Sequence, residues 1–541
     1  MPPRSPAAPD EVLAFTNGRI LTMKASPPVA EAVVVGDGRI LDVGSADLLR
    51  RYPQARTHDL AGRILCPGFV DAHHHLSIAA LEPRWADVRH VAGPDELAGA
   101  LVAQAEAEPN APWVRAARWS EIGTGFVPHR RDLDAVGLDR PVLVAHYSLH
   151  QAVTDSRGLE ELGIGPSAPD PVGGAYGRDG DGTLNGLLME RAWSEAHRRS
   201  LAPYDDPDRL ADHIRDAAHL LLADGITAVH DAACTPTAEG AYRSLAARGE
   251  LPVSVLVLPH PEALFAPVDP VRLQGPPTGE GDEVLRVGPV KLFADGGIAP
   301  AIDVHLGGRR MAIGQLFGEL DAQVQAATER GFRVAVHAIG NAGLDAALDA
   351  FEVVAQRHPG HDHRFRVEHA CLASVAQLRR LAGLGGVAVV QPGFLDHLGR
   401  QVEGVEFDDA RWLPFGDMDR VGVALAASSD CPCTFHAPLR TSAHGVTRRT
   451  GTGAVLDAGQ ALSFEEWLRA YSAGAAHAGD QEAERGTIAE GLRADFVVLD
   501  GALDADHPPT VAQTWVSGRL VHGTTATPPA GPEGPPRLRR P

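Results

Sequence analysis

Three consecutive histidines, His73, His74 and His75, close the apolar run Cys66-Pro67-Gly68-Phe69-Val70-Asp71-Ala72. In an extended strand residues two apart share a face, so His73 and His75 point one way and His74 the other. Two imidazoles on one side of a buried strand are half of a divalent metal site, because neutral ring nitrogens bind Zn²⁺ without adding charge. Backbone carbonyls could satisfy the same cluster, but a metal needs further ligands elsewhere in the chain. Candidates stand where other β-branched runs lie or end. Lys291 is in Val290–Phe293, His337 ends Phe332–His337, His369 ends Phe365–His369, and Asp430 follows Val421–Ala426. With 25 histidines in 541 residues, that recurrence at strand ends points to a metal centre.

Each residue type has a task in hydrolysis. A metal held by imidazoles stays Lewis-acidic enough to bring bound water to a pKa of about 7. A carboxylate beside that water, here Asp430, accepts its proton and hands it to a leaving amine. Lys291 is the odd member, because an ammonium repels a cation. It fits if the amine has taken up CO₂ to become a carbamate, an anionic donor able to bridge two metals; otherwise it pairs with Asp295.

Positioning these side chains requires a scaffold of strands. Eight runs read as parallel strands covered on both faces: the His73 strand, then Ile226–His230, Val253–Leu258, Val290–Phe293, Phe332–His337, Phe365–His369, Val387–Gln391 and Val421–Ala426. Helical periodicity accompanies them, as in Leu210, Ile214, Ala217 and Leu221 before Gly225, and in Leu344, Leu348 and Phe351 before Pro359-Gly360. The alternation predicts an α/β chain with a (β/α)8 TIM-like barrel, which presents functional residues at the C-terminal ends of its strands. The span from about 77 to 207 is too long for one crossover and carries its own strand-like pieces, Trp113–Ala116 and Pro141–Ala145. It is expected to be an insertion after strand one that rises over the barrel mouth. Strands near each chain end, Gly486–Ile488 among them, are too few for separate sheets. Residues 12–65 and 480–523 are therefore expected to form one small β-sandwich beside a barrel of residues 66–479, with 1–11 and 524–541 as disordered tails.

Forty-nine basic against seventy acidic residues give a formal charge of −21, which repels phosphate backbones. Five scattered cysteines do not suggest a disulfide framework. The N-terminus lacks the charged start and apolar core of a secretory signal, and no stretch approaches the roughly 20 apolar residues of a membrane helix. A cytoplasmic enzyme with a small-molecule substrate, no nucleic acid and no membrane is expected, and a homodimer is compatible with the sequence.

The same segments resemble the amidohydrolase superfamily, and within it the amidohydrolase-3 group that includes N-substituted formamide deformylase-like enzymes. The likeness covers nearly the whole chain. Pro67-Gly68-Phe69-Val70-Asp71-Ala72-His73-His74-His75 is similar to the family's first-strand motif, which implies that His73 and His75 hold the more buried metal. Val290-Lys291-Leu292-Phe293-Ala294-Asp295-Gly296 resembles the segment whose lysine is often carboxylated. His337-Ala338-Ile339-Gly340 and Glu368-His369-Ala370 resemble the ligand motifs of strands five and six, Ser428-Ser429-Asp430 the catalytic aspartate segment, and Gly486 to Asp500 the closing sandwich signature. Arg131–Asp134, Arg140–Val144, His150 and Ser156–Leu159 resemble a segment that places a histidine, here His150, near substrate. Three features depart from the pattern: Asp155 where Asn is usual, Asn341-Ala342 where Asp-Arg is common, and Cys431-Pro432-Cys433 in place of small residues. The second bears on hydrogen bonds that orient His337; the two thiols either pack, line the pocket or bind metal.

The expected function is metal-dependent hydrolysis of a carbon–nitrogen bond, non-peptide and amide-type, in a small N-acyl or N-formyl compound. A metal-activated hydroxide attacks the carbonyl, His150 or His369 steadies the oxyanion, and Asp430 shuttles the proton. One or two divalent ions are expected on His73, His75, Lys291, His337, His369 and Asp430; zinc suits them, and Fe²⁺, Co²⁺ or Mn²⁺ can occupy the same donors. Two alternatives stand beside this: a mononuclear deaminase-type aminohydrolase that releases ammonia with Lys291 unmodified, and a catalytically silent barrel that serves as a binding scaffold.

Overall fold

Valine- and alanine-rich runs without a polar face must be covered on both sides, and eight of them form parallel ladders in the computed structural model. The strands are β1 (Phe69–His74), β2 (Ile226–Cys234), β3 (Ser254–Pro259), β4 (Val290–Phe293), β5 (Val334–Ala338), β6 (Arg366–His369), β7 (Val387–Val390) and β8 (Ala424–Ala427). The described residues are 12–524 except 123, 205 and 269, so the expected tails lie outside them apart from Thr524.

The ladders fall into two arcs. One runs β1-β2-β3 and ends on the short strand Leu285–Val287; the other runs β4-β5-β6-β7-β8. Among the described residues no ladder closes the arcs into a ring, but both seams are joined. At one the chain itself passes from Leu285–Val287, still bonded to β3 through Gly288 N to Val257 O at 2.8 Å, into β4 at Val290; across the other Asp430 N donates to His73 O and His75 N to Cys431 O, each at 2.8 Å. The second seam sets Asp430 beside the two histidines of β1.

Helices pack outside the strands. Pro207–Leu221 buries Leu210, Ile214 and Leu221, and Asn341–Arg357 buries Leu344, Leu348 and Phe351, all within one apolar core that also takes in Phe69, Val229 and Val336. Two expectations fail locally. Val421 belongs to the helix Phe415–Val421, which stops at Gly422 in the left-handed region (φ 80°), so β8 starts three residues late. No α-helix separates β3 from β4 among the described residues, because Pro261, Pro267, Pro270, Pro276 and Pro277 punctuate that connection.

The chain ends share a six-stranded sheet, in the order Arg519–Gly523, Thr510–Val516, Phe496–Asp500, Ile64–Pro67, Arg19–Leu21, Val29–Ala30. A four-stranded sheet from residues 12–59 alone packs against it through Phe15, whose ring meets Trp515 at 5.0 Å and Phe496 at 5.4 Å, edge to face. Gly486–Ile488 is not a strand; Ile488 N bonds the Thr22 carbonyl. Within 77–207 a further sheet of six strands forms, from Ala86–Asp87 to Leu184–Glu190, and carries His150 one residue before the strand Gln151–Thr154. No helix among the described residues is long and apolar enough to cross a membrane.

Candidate active site

All seven expected residues, His73, His75, His150, Lys291, His337, His369 and Asp430, line one pocket at the C-terminal ends of the strands. His73 is fully buried, and its Nδ1 donates to Glu368 Oε2 at 2.5 Å. His75 Nδ1 donates to the Ala232 carbonyl at 2.8 Å. In the neutral rings both Nε2 atoms therefore carry lone pairs, and both face Asp430 Oδ1, at 3.3 Å and 3.1 Å respectively. Three lone-pair atoms crowded together, with the Lys291 amine 3.5 Å from His73 Nε2 as the donor beside them, are relieved by a cation. His369 follows the same rule: its Nδ1 donates to Gln391 Oε1 at 2.9 Å, which leaves Nε2 free. His337 Nε2 is buried without any hydrogen-bond partner, 3.7 Å from Asp295 Oδ1. The donor set thus fits a divalent metal, with one carboxylate and, in His73, His75 and His369, imidazoles whose far nitrogens are already held.

Charge states agree. Burial holds His73 and His337 well below the ordinary imidazole value and His369 down to about 4, with Lys291 and the neighbouring rings pushing the same way. Burial pushes Asp430 up, but its closeness to His75, His73 and His369 outweighs it and holds the carboxyl below its usual range. Lys291 is buried 3.5 Å from His73 Nε2, and desolvation lowers its amine to about 8. The expected alternative pairing of Lys291 with Asp295 does not form. Asp295 instead accepts the backbone N–H groups of Ile339, Gly340 and Ala301 at 2.8–3.0 Å.

Buried histidines predict acid lability. Seven fully buried imidazoles (His73, His74, His197, His230, His260, His337, His369) titrate below their unfolded value. The unfolded chain therefore takes up protons that the native state refuses, and the stability present above about pH 6.5 is lost as the pH falls below it. Asp71 and Asp295, pushed up to about 7 by burial, act oppositely but are outnumbered. The midpoint of thermal unfolding of metal-free protein should fall between pH 6.5 and pH 5 in scanning calorimetry; a rise would contradict these protonation states.

The pocket wall comes partly from 77–207. His150 Nδ1 donates to Glu190 Oε2 at 2.6 Å, and Glu190 Oε1 is held by Ile298 N–H at 2.9 Å. Gly297 N–H also lies 3.0 Å from His150 Nδ1, but a protonated ring nitrogen cannot accept it, so the carboxylate contact decides the tautomer. The ring occupies the place of a Cβ on Gly297, where Cδ2 and Nε2 would sit 2.5 and 2.6 Å away. Gly297→Ala should therefore displace His150 and lower kcat/KM on the order of 10²-fold, with an unchanged circular-dichroism spectrum. Undiminished kcat/KM would remove His150 from the site.

Several contributors escaped the sequence reading. Arg366 donates to both oxygens of Glu368 (2.9 and 3.2 Å), all fully buried, and so fixes the acceptor of His73. Gln391 likewise holds the His369 ring, and Glu190 and Gly297 hold His150 in place. Asn341 does not touch His337 but bonds the Asp303 backbone through Oδ1 (2.8 Å) and Nδ2 (2.5 Å). Asp155 caps the helix Ser156–Glu161 by accepting Gly158 N–H at 2.8 Å. Cys433 lines the pocket with its thiol on the Ser148 carbonyl, whereas Cys431 faces away toward His436.

Comparison with known proteins agrees with this geometry. The sequence profile of the Amidohydrolase family matches residues 56–522. The N-substituted formamide deformylase of Arthrobacter pascens is 32% identical over 513 residues, which span 90% of this chain and 93% of that one. A metal-dependent hydrolase of Pyrococcus horikoshii, solved as an uncharacterized protein, is 25% identical with a TM-score of 0.71 over 92% of this chain and 100% of that one. N-isopropylammelide isopropylaminohydrolase of Burkholderia multivorans shares the fold at 16% identity, with a TM-score of 0.52 over 95% and 99% of the two chains. With a family profile that spans most of its length and a pocket of matching donors, the chain belongs to the amidohydrolase family, enzymes that hydrolyse carbon–nitrogen bonds.

Proposed function

We propose that the protein hydrolyses the amide bond of a small N-formyl or N-acyl amine whose amine side is apolar. The observation that carries this is the convergence of His73 Nε2 and His75 Nε2 on Asp430 Oδ1, at 3.3 and 3.1 Å, in the wall of one pocket. We read the two arcs, joined at both seams, as one (β/α)8 barrel, and the two terminal sheets, joined by their aromatic core, as a β-sandwich.

Zinc is the ion these nitrogen and oxygen donors suit; His73, His75, His337, His369 and Asp430 would hold it, and Lys291 would add an anionic oxygen donor once carboxylated. When bound, the metal supplies Lewis acidity, which polarises the substrate carbonyl and acidifies water. A lysine whose amine is lowered to about 8 by burial is partly neutral at physiological pH, the form that adds to CO₂. Asp430, ionised between two imidazoles, takes the proton of the attacking water and delivers it to the amide nitrogen as the C–N bond breaks. The products are a carboxylic acid and an amine. His150, anchored by Glu190, lines the same pocket and steadies the carbonyl oxygen. Phe265, Phe293, Leu149 and Phe394 supply apolar surface for the amine substituent and exclude water.

The relative from Arthrobacter pascens acts, by its name, on N-substituted formamides. A panel of N-formyl and N-acetyl arylalkyl amines, assayed for amine release, tests the assignment. Turnover of the formyl compounds supports it; ammonia from heterocyclic amines, with no formamide turnover, would replace it by the deaminase reading.

A further inference from the structure

We propose a second metal site, built from His74, Cys431 and His436 on the reverse side of β1, that takes a soft d¹⁰ cation such as Zn²⁺ as a structural clamp. Their ligand atoms lie within 4.8 Å of one another. His74 is 1% exposed, and neither of its ring nitrogens has a hydrogen-bond partner, an expensive arrangement for a buried polar ring. Cys431 Sγ lies 3.6 Å from His436 Nδ1. That is close to the ~3.5 Å edge subtended at a tetrahedral centre by a Zn–S bond of about 2.3 Å and a Zn–N bond of about 2.0 Å. His436 Nε2 points the other way, 3.4 Å from Asp224 Oδ2, the carboxylate–histidine pairing that orients a metal-bound imidazole.

Two imidazoles and a thiol are softer donors than the nitrogen and oxygen set of the main pocket. Binding forms one bond to the Cys431 sulfur and one to each imidazole, and releases the thiol proton to solvent. The position gives the site a purpose. His74 stands between His73 and His75, and Cys431 follows Asp430, so an ion here would tie β1 to the segment that carries Asp430 from behind.

Cobalt substitution tests this without reference to activity, because the proposed catalytic donors include no thiolate. Full-length protein stripped of metal and titrated with Co²⁺ should develop a near-ultraviolet thiolate-to-cobalt charge-transfer band. The band should vanish in Cys431→Ser, weaken in His436→Ala at a half-exposed position that leaves the core intact, and persist in Cys433→Ser. Mass spectrometry under native conditions should show one metal fewer in Cys431→Ser than in the parent. Absence of the band in cobalt-loaded parent protein, its survival in both Cys431→Ser and His436→Ala, or its loss only in Cys433→Ser would overturn the proposal.

Discussion

Asp430→Asn should lower kcat by about 10²–10⁴-fold while metal stays bound. The substitution keeps the side chain's shape and an oxygen donor, and Asn tolerates the left-handed backbone that Asp430 adopts (φ 57°). What it removes is the charge that sits 3.1–3.3 Å from the His73 and His75 nitrogens and the capacity to accept a proton. The fold and the seam bond from Asp430 N to His73 O should survive. Metal analysis and turnover measured on the same sample separate the roles. Retained turnover in metal-loaded Asp430→Asn would remove Asp430 as the proton shuttle, and loss of metal would make its charge a requirement for binding.

Glu368→Gln should be the most destabilising conservative change near the site, at about 3–5 kcal/mol. The carboxylate is fully buried and accepts two bonds from Arg366, which is itself fully buried. Without it the guanidinium keeps only neutral acceptors, the Ala72 and Ala478 carbonyls and His230 Nδ1. His73 loses at the same moment the anion that fixes its tautomer, so metal affinity should fall by about 10–100-fold. Denaturant titration and competition with a chelating dye measure the two effects. Unchanged stability and unchanged affinity would mean that the Arg366–Glu368–His73 relay does not organise the centre.

Why the sequence showed some of these residues and hid others is a matter of range. His73 and His75 could be paired from the two-residue period of a strand, and His337 from its place at the end of an apolar run. Glu368 stood in plain view but was silent, because its partner lies 295 positions away. Alternation within β6 gives Arg366 and Glu368 one face, whereas His369, the last residue of the strand, sits at φ 75° and lines the pocket regardless of that alternation. Glu190 meets Ile298, and His150 meets Gly297, only because the sheet within 77–207 docks on the segment after β4, a contact no local pattern encodes. The seams are hidden for the same reason. Apolar runs announce strands, but the backbone bonds that join β1 to the residues after β8 depend on the register of the whole assembly.

The central claim is that a metal held at His73, His75 and Asp430 is needed to split an amide. Its most direct test is the release of acid and amine from an N-formyl amine by protein stripped with a chelator and then reloaded with zinc. Turnover should disappear on stripping and return in proportion to the zinc restored, with acid and amine appearing in equal amounts. Full turnover by metal-free protein would contradict the account.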